Sequence, residues 1–352
     1  MMFRPGLDKL PVYGVEEQDW RIKVDANESN RALPPLVAER VESRLSYVAF
    51  NRYPDIAMID LREEIGRGSG YDIDNVWLGN GSSEILEKLF FLYGGEGRSI
   101  VFSVPSFSMY AIYAKISEST AVPVPLEADY TLDKEKILRA AAEHDAKLIV
   151  LCNPNNPTGT PIPLDTVEDI VRRAKCPVVV DEAYMEFYGE TALPLVAQYA
   201  NLIVARTFSK AYGAAGIRAG YVIANEEVIA MLRKVSMPYH INKLTLTVAE
   251  TIYQMRDEFI PYIQQTLLER ERVAEFLKNE TDIIVYPSAA NFLLLKTEGA
   301  GELAKYLADI GIAVRSFANA PMLENCIRVT IGTTAENDEI MRAIKRWCKG
   351  AK

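Results

Sequence analysis

The feature that most constrains this chain is a series of short, near-continuous apolar runs rich in β-branched residues: Ser99–Val104, Lys147–Cys152, Pro177–Asp181, Asn201–Arg206 and Gly220–Ala224. Several are separated by segments of helical periodicity, such as Ser82–Tyr93, Lys134–Glu143 and Leu164–Ala174. A strand wetted on one face alternates polar and apolar residues, whereas a strand that is apolar throughout is covered on both faces. A parallel sheet sandwiched between helices meets that requirement, so the expected fold class is α/β. In such a sheet ligands gather at the carboxyl ends of the strands. Two further helical segments, Pro35–Leu45 and Ile56–Ile65, come earlier, the second ended by Gly66, Gly68 and Gly70.

After the alternation, Leu244 to about Glu280 has the pattern of a long helical stretch interrupted at Pro261, whose missing N–H is expected to kink or break it. Beyond it, Asp282–Tyr286, Asn291–Lys296, Gly311–Arg315 and Cys326–Ile331 are expected strands, with helices at Gly301–Asp309 and Ala335–Cys348. This is a second, smaller α/β unit, and a length of 352 residues accommodates both.

Composition narrows the partners. With 39 Lys+Arg against 48 Asp+Glu the net charge is −9, which argues against a nucleic-acid partner and requires any anionic ligand to meet a local cluster of positive groups. His144 and His240 are the only histidines, too few for a three-His zinc site, so no metal is expected. Cys152, Cys176, Cys326 and Cys348 are widely spaced, form no C-x-x-C and lie in or beside apolar runs, the pattern of reduced, buried thiols. The first residues, MMFRPGLDKLPVYG, carry Pro and charges where a signal peptide has an apolar stretch. No run of about 18 apolar residues follows, so no membrane segment and a cytoplasmic location are expected.

Four local patterns fall at the ends of the apolar runs. Gly79-Asn80-Gly81-Ser82-Ser83-Glu84 is a Gly-rich turn opening a helix, where backbone N–H groups can hold an anion; taken alone, Ser82 or Ser83 serves equally as an ordinary helix cap. Asn153-Pro154-Asn155-Asn156-Pro157-Thr158-Gly159 is a rigid turn, and turn formation alone accounts for most of its residues. In Val178-Val179-Val180-Asp181-Glu182-Ala183-Tyr184 an acid ends a buried strand, so it needs either a cationic partner or the hydrogen bonds of a cap. Thr207-Phe208-Ser209-Lys210-Ala211-Tyr212-Gly213, with Arg218 downstream, sets a lysine after an apolar strand among small residues. Poor solvation there would favour the neutral amine of Schiff-base chemistry, although a lone lysine is ordinarily a surface residue.

In this order, the four patterns together resemble the fold-type-I pyridoxal-phosphate aminotransferases over essentially the whole chain. Val24-Asp25-Ala26-Asn27-Glu28, Asn51-Arg52-Tyr53-Pro54-Asp55, Asp181 to Phe187 and Ile327-Arg328-Val329-Thr330-Ile331-Gly332-Thr333 look like the histidinol-phosphate aminotransferases within that superfamily. The resemblance implies a large domain (31–245) with a mostly parallel seven-stranded sheet flanked by helices. It also implies a smaller C-terminal α/β domain (246–352) and an N-terminal arm (1–30) packed on the latter.

It implies further that Lys210 carries pyridoxal 5'-phosphate as a Schiff base and shuttles the proton of the substrate Cα. Asp181 would face the pyridine nitrogen, Tyr184 and Asn156 the phenolic oxygen, and Phe107 would stack on the ring. Ser82, Ser83, Thr207, Ser209 and Arg218 would hold the phosphate, joined by Tyr53 of a second subunit in a homodimer with shared sites. Arg328, Arg315, Tyr13 and Asn27 are implied to contact substrate. The implied reaction exchanges an amino group between histidinol phosphate and 2-oxoglutarate. An aromatic amino-acid aminotransferase, a phosphothreonine decarboxylase and a non-enzymatic cofactor-binding regulator are the rival readings. The chain departs from the family pattern at Phe107, where Tyr is frequent, and at Ser29-Asn30-Arg31, where the family has Asn-Pro-Tyr/Phe-Gly.

Overall fold

A computed structural model describes residues 19–350 of the chain. After β1 (Ile22–Lys23), α1 (Pro35–Leu45) and α2 (Ile59–Ser69) come the elements of the large sheet and the helices around it. These are β2 (Val76–Asn80), α3 (Gly81–Tyr93), β3 (Ser99–Val104), α4 (Met109–Ile116), β4 (Thr120–Pro125), α5 (Lys134–Glu143), β5 (Ala146–Cys152) and α6 (Leu164–Arg173). There follow β6 (Val178–Asp181), α7 (Met185–Tyr188), β7 (Leu202–Thr207), β8 (Ala219–Ala224) and α8 (Glu226–Val235). The seven strands lie in the order β2-β8-β7-β6-β5-β3-β4. Neighbours from β7 through β4 are parallel, and β8 runs antiparallel to both β7 and β2. Six strands therefore share one direction and end at one edge. The order reverses between β3 and β5, and loops that diverge from such a point leave a crevice.

The apolar runs have the expected cause: β6, β7 and β8 are buried at every position, and β3 and β5 at all but one. β4 differs because it is the edge. It alternates exposed and buried residues and tolerates Pro123 and Pro125, which a central ladder would not.

After α9 (Lys243–Gln254), whose buried side chains join the large core, the second unit is built from α10 (Ile260–Glu280), β9 (Ile284–Val285), β10 (Phe292–Lys296), α11 (Ala300–Asp309), β11 (Ile312–Ala313), β12 (Arg315–Ser316), β13 (Cys326–Thr330) and α12 (Thr334–Cys348). β12-β13-β10-β9 form an antiparallel sheet whose Leu293, Leu295, Ile327 and Val329 pack with Leu277 of α10, Leu303 of α11 and Ile344 of α12. The strand expected over Gly311–Arg315 is two short pieces in different sheets. β11 pairs in parallel with β1 of the N-terminal arm, and β12 pairs with β13. The arm is thereby attached to the smaller unit, and Ile22 and Val24 enter its core.

Other sequence expectations change as well: α2 runs on through Gly66 and Gly68 to Ser69, and of the three glycines only Gly70 ends it. Pro261 does not interrupt a helix: the break is a 3₁₀ turn at Arg256–Phe259, and Pro261 occupies the first turn of an unbroken α10, where no N–H is needed. Ala249, Ile252, Tyr253 and Phe259 pack in the large core and Val273 and Leu277 in the small one. The cores therefore change over within α10, later than the expected 245/246 division. Cys152, Cys176 and Cys326 are buried free thiols, but Cys348 is exposed because it sits in the last turn of α12 on its wet side. Among the described residues no helix is long and apolar enough to cross a membrane.

Candidate active site

The ends of β2, β3, β5, β6 and β7 deliver the site. At the end of β2, α3 begins at Gly81 with Asn80 as its N-cap residue, so Ser82 and Ser83 lie in the first turn and neither is the cap. The first-turn N–H groups of a helix have no intrahelical partner and form an anion site. Gly81 adopts φ +74, and a Cβ there would stand 2.6 Å from Arg218 Nη2. Gly220 on β8 lets the turn seat against the sheet, since a Cβ on it would meet the Ser82 nitrogen at 2.3 Å. Arg218 itself sits at φ +52, Thr207 donates from Oγ1 to Ser209 Oγ at 3.0 Å, and the Arg218 guanidinium reaches Ser209 Oγ at 3.5 Å. Ser82, Ser83, Thr207, Ser209 and Arg218 are thus collected into one cup of donors. Gly220→Ala is expected to cost about 1–3 kcal/mol by overpacking against backbone that cannot yield, checked by the denaturant midpoint.

Beside the cup, Asp181 ends β6 in full burial. Its Oδ2 accepts from Tyr110 Oη at 2.8 Å, while its Oδ1 is buried without any hydrogen-bond partner. Burial pushes its carboxyl up to about 6, against the pull of the Tyr110 hydroxyl and, more weakly, of the Ala183 backbone N–H. Lys210, three residues past β7, donates from Nζ to the Ala26 carbonyl at 2.9 Å. Burial, with the nearby Arg328 charge, brings its ammonium down to about 8. A neutral amine is therefore accessible near neutral pH.

The arm and the small unit close over these groups. Asn27, at φ +55, donates from Nδ2 to Tyr184 Oη at 2.9 Å, and its backbone N–H donates to Thr330 Oγ1 at 3.0 Å. Arg328 on β13 donates to Asn156 Oδ1 and to the Asp25 carbonyl, both at 2.5 Å, and lies over the Phe292 ring. Arg328 is thereby joined to the β5 loop of the large unit, and Arg315 is its cross-strand neighbour. Phe107, after β3, is half-buried and meets Tyr110 edge-on with centroids 5.5 Å apart. Tyr53 is not part of this cluster in the single chain: it is 77% exposed and stacks on Tyr239 at 4.4 Å. Tyr13 lies outside the described residues.

A model of the aminotransferase class I and II family matches residues 21–344. The chain belongs to the class I and II aminotransferases. It is 40% identical over 340 residues to the histidinol-phosphate aminotransferase of Thermococcus gammatolerans, covering 96% of this chain and 95% of the relative. With the enzyme of that name from Caldanaerobacter subterraneus subsp. tengcongensis it shares 38% over 335 residues, 95% of each. The crystal structure of histidinol-phosphate aminotransferase from Sinorhizobium meliloti, in complex with pyridoxal-5'-phosphate, superposes with a TM-score of 0.88 at 26% identity, covering 95% of this chain and 93% of that one. In this aminotransferase the residues that sequence reasoning missed are Tyr110, Asp25 through its carbonyl, and Thr330. Thr330 stands inside a quoted motif and Tyr110 three residues past Phe107, but both are ordinary β or helix residues by pattern. Only the fold, which brings Tyr110 of α4 to the Asp181 carboxylate at the end of β6 and Thr330 of β13 to Asn27 of the arm, gives their hydroxyls a role.

Proposed function

We propose that this protein is a histidinol-phosphate aminotransferase that exchanges an amino group between L-histidinol phosphate and 2-oxoglutarate, with pyridoxal 5'-phosphate held on Lys210. The observation that carries the chemistry is the convergence of a desolvated amine (Lys210), an orphaned buried carboxylate oxygen (Asp181 Oδ1) and a cup of anion donors. That set fits the cofactor: the orphaned oxygen needs a donor such as a protonated ring nitrogen, and the cup needs a phosphate. Near-full-length identity of 38–40% to proteins of that name supports the substrate.

When bound, the cofactor supplies an electron sink for the electrons left on the substrate Cα. The residues of the chain do the rest. Asp181 keeps the ring nitrogen protonated by opposing its charge. Tyr184 and Asn156 would hydrogen-bond the cofactor's phenolic oxygen, and Phe107 would pack against its ring. Ser82, Ser83, Thr207, Ser209 and Arg218 bind the phosphate, and a bound charge at the start of α3 is favoured by the helix dipole. Lys210 would hold the cofactor through Nζ and, once its amine is free, would accept and carry the proton removed from the substrate Cα. Arg328, with Arg315 beside it, receives the carboxylate of glutamate or the phosphate of the other partner; Asn27 and Tyr13 are further substrate contacts. These arginines and the α3 start concentrate positive potential in a chain whose net charge is −9.

The working form is a cytoplasmic homodimer. Tyr47, Phe50, Tyr53 and Ile56 are exposed within ten residues, an apolar surface suited to a second copy. Tyr53 then completes the phosphate cup of the neighbour. Arg218→Ala is expected to weaken cofactor binding roughly tenfold to a hundredfold, with activity partly restored by added cofactor. The cofactor dissociation constant, from fluorescence quenching, checks this, and unchanged affinity would remove Arg218 from the cup. The substrate is tested by single-turnover amine transfer: histidinol phosphate is expected to react far faster than phenylalanine. The reverse order would assign an aromatic amino-acid aminotransferase.

A further inference from the structure

Resting on the reading above, the geometry points to Tyr110 as the positioning residue of the site: its hydroxyl fixes the Asp181 carboxylate with Oδ1 turned to the cofactor nitrogen, while its ring edge backs Phe107. A carboxylate that ends a strand can rotate about its own side chain. Here one oxygen is tied to Tyr110 Oη at 2.8 Å and the other has no partner, so the free acceptor is held in a single direction. Tyr110 is in turn fully buried and enclosed by Phe90, Phe102 and Phe107, with centroids 6.4, 6.0 and 5.5 Å away. One α4 side chain therefore sets both the acid opposite the ring nitrogen and the aromatic expected on the ring face. Such support of a functional group by a buried hydrogen bond is how a site holds its geometry within a few tenths of an ångström.

The charged and titratable groups around Asp181 are few: Tyr110 and Tyr113 of α4, Cys152 at the end of β5, Glu182 following it, and Tyr184. Among these, Tyr110 is the side chain with a hydrogen bond that favours the ionised acid, so its loss acts on Asp181 in one direction, raising its pKa.

Tyr110→Phe keeps the rings and removes only the hydroxyl. For the apoprotein, the dissociation constant of pyridoxal phosphate is expected to rise roughly tenfold, and its weakening at low pH to begin at a higher pH than in the wild type. The KM for glutamate is expected to stay within about twofold. In the Asp181→Asn background the same substitution should change the dissociation constant by less than about twofold, because its action runs through the carboxylate. A merely structural tyrosine would instead give equal losses in both backgrounds, which overturns the inference, as does an unchanged dissociation constant and pH dependence in Tyr110→Phe. If the wild type binds no pyridoxal phosphate, the functional reading itself fails, a result distinct from either.

Discussion

Lys210→Ala is expected to abolish amino transfer, with a loss on the order of 10⁴-fold or more, and to leave no cofactor adduct that borohydride can trap. The size follows from the lack of a substitute. His144 caps the end of α5, and His240 is engaged with the Leu78 and Met237 carbonyls. Tyr184 is held far above its ordinary range by burial, so it cannot serve as a base near neutral pH. Lys210 combines burial, a lowered pKa of about 8 and attachment to the end of β7 beside the phosphate cup. Its proton occupancy falls as pH rises through that value, so cofactor capture by the apoprotein should quicken over the same interval. Peptide mapping after reduction should find the adduct on Lys210 of the wild type; an adduct surviving on another lysine of the variant would contradict the assignment.

Asp181→Asn is expected to lower turnover by about 10²–10³-fold while leaving the cofactor bound through its phosphate. Asparagine keeps the shape and can still meet Tyr110, but it is neutral and cannot oppose a charged ring nitrogen. Burial places the Asp181 carboxyl of the apoprotein at about 6, so the acid is ionised above that pH and protonated below it. Cofactor affinity of the wild type should therefore fall as pH drops through 6, and the amide variant should lack that fall. Turnover within a few-fold of the wild type would remove Asp181 from the ring nitrogen.

Much of the fold is legible in the sequence, for identifiable reasons. β3, β5, β6, β7 and β8 stood out because burial on both faces leaves strands no polar residues, and the chemistry follows directly on the ends of β5, β6 and β7. β2 and β4 were not legible: β4 is an edge strand with two prolines, and β2 is a short VWLGN segment without alternation. The antiparallel course of β8 depends on a return over residues 208–218 that closes at Arg218, with φ +52, which an apolar run does not encode. The arm pairs over only two residues, Ile22 and Lys23, too few to give a periodic signal. Within the site, the roles proposed for the motif residues rest on the ordered set, whereas the Tyr110–Asp181 and Arg328–Asn156 bonds join residues 71 and 172 positions apart. Contacts at that separation arise from topology and leave no local mark.

Amino exchange with a phosphorylated amino alcohol is measured by incubating the purified protein, loaded with pyridoxal phosphate, with L-histidinol phosphate and 2-oxoglutarate and following glutamate. The expected result is glutamate formed in proportion to histidinol phosphate consumed, and none when either partner is omitted. Release of carbon dioxide from phosphothreonine, with no glutamate from histidinol phosphate, would contradict it.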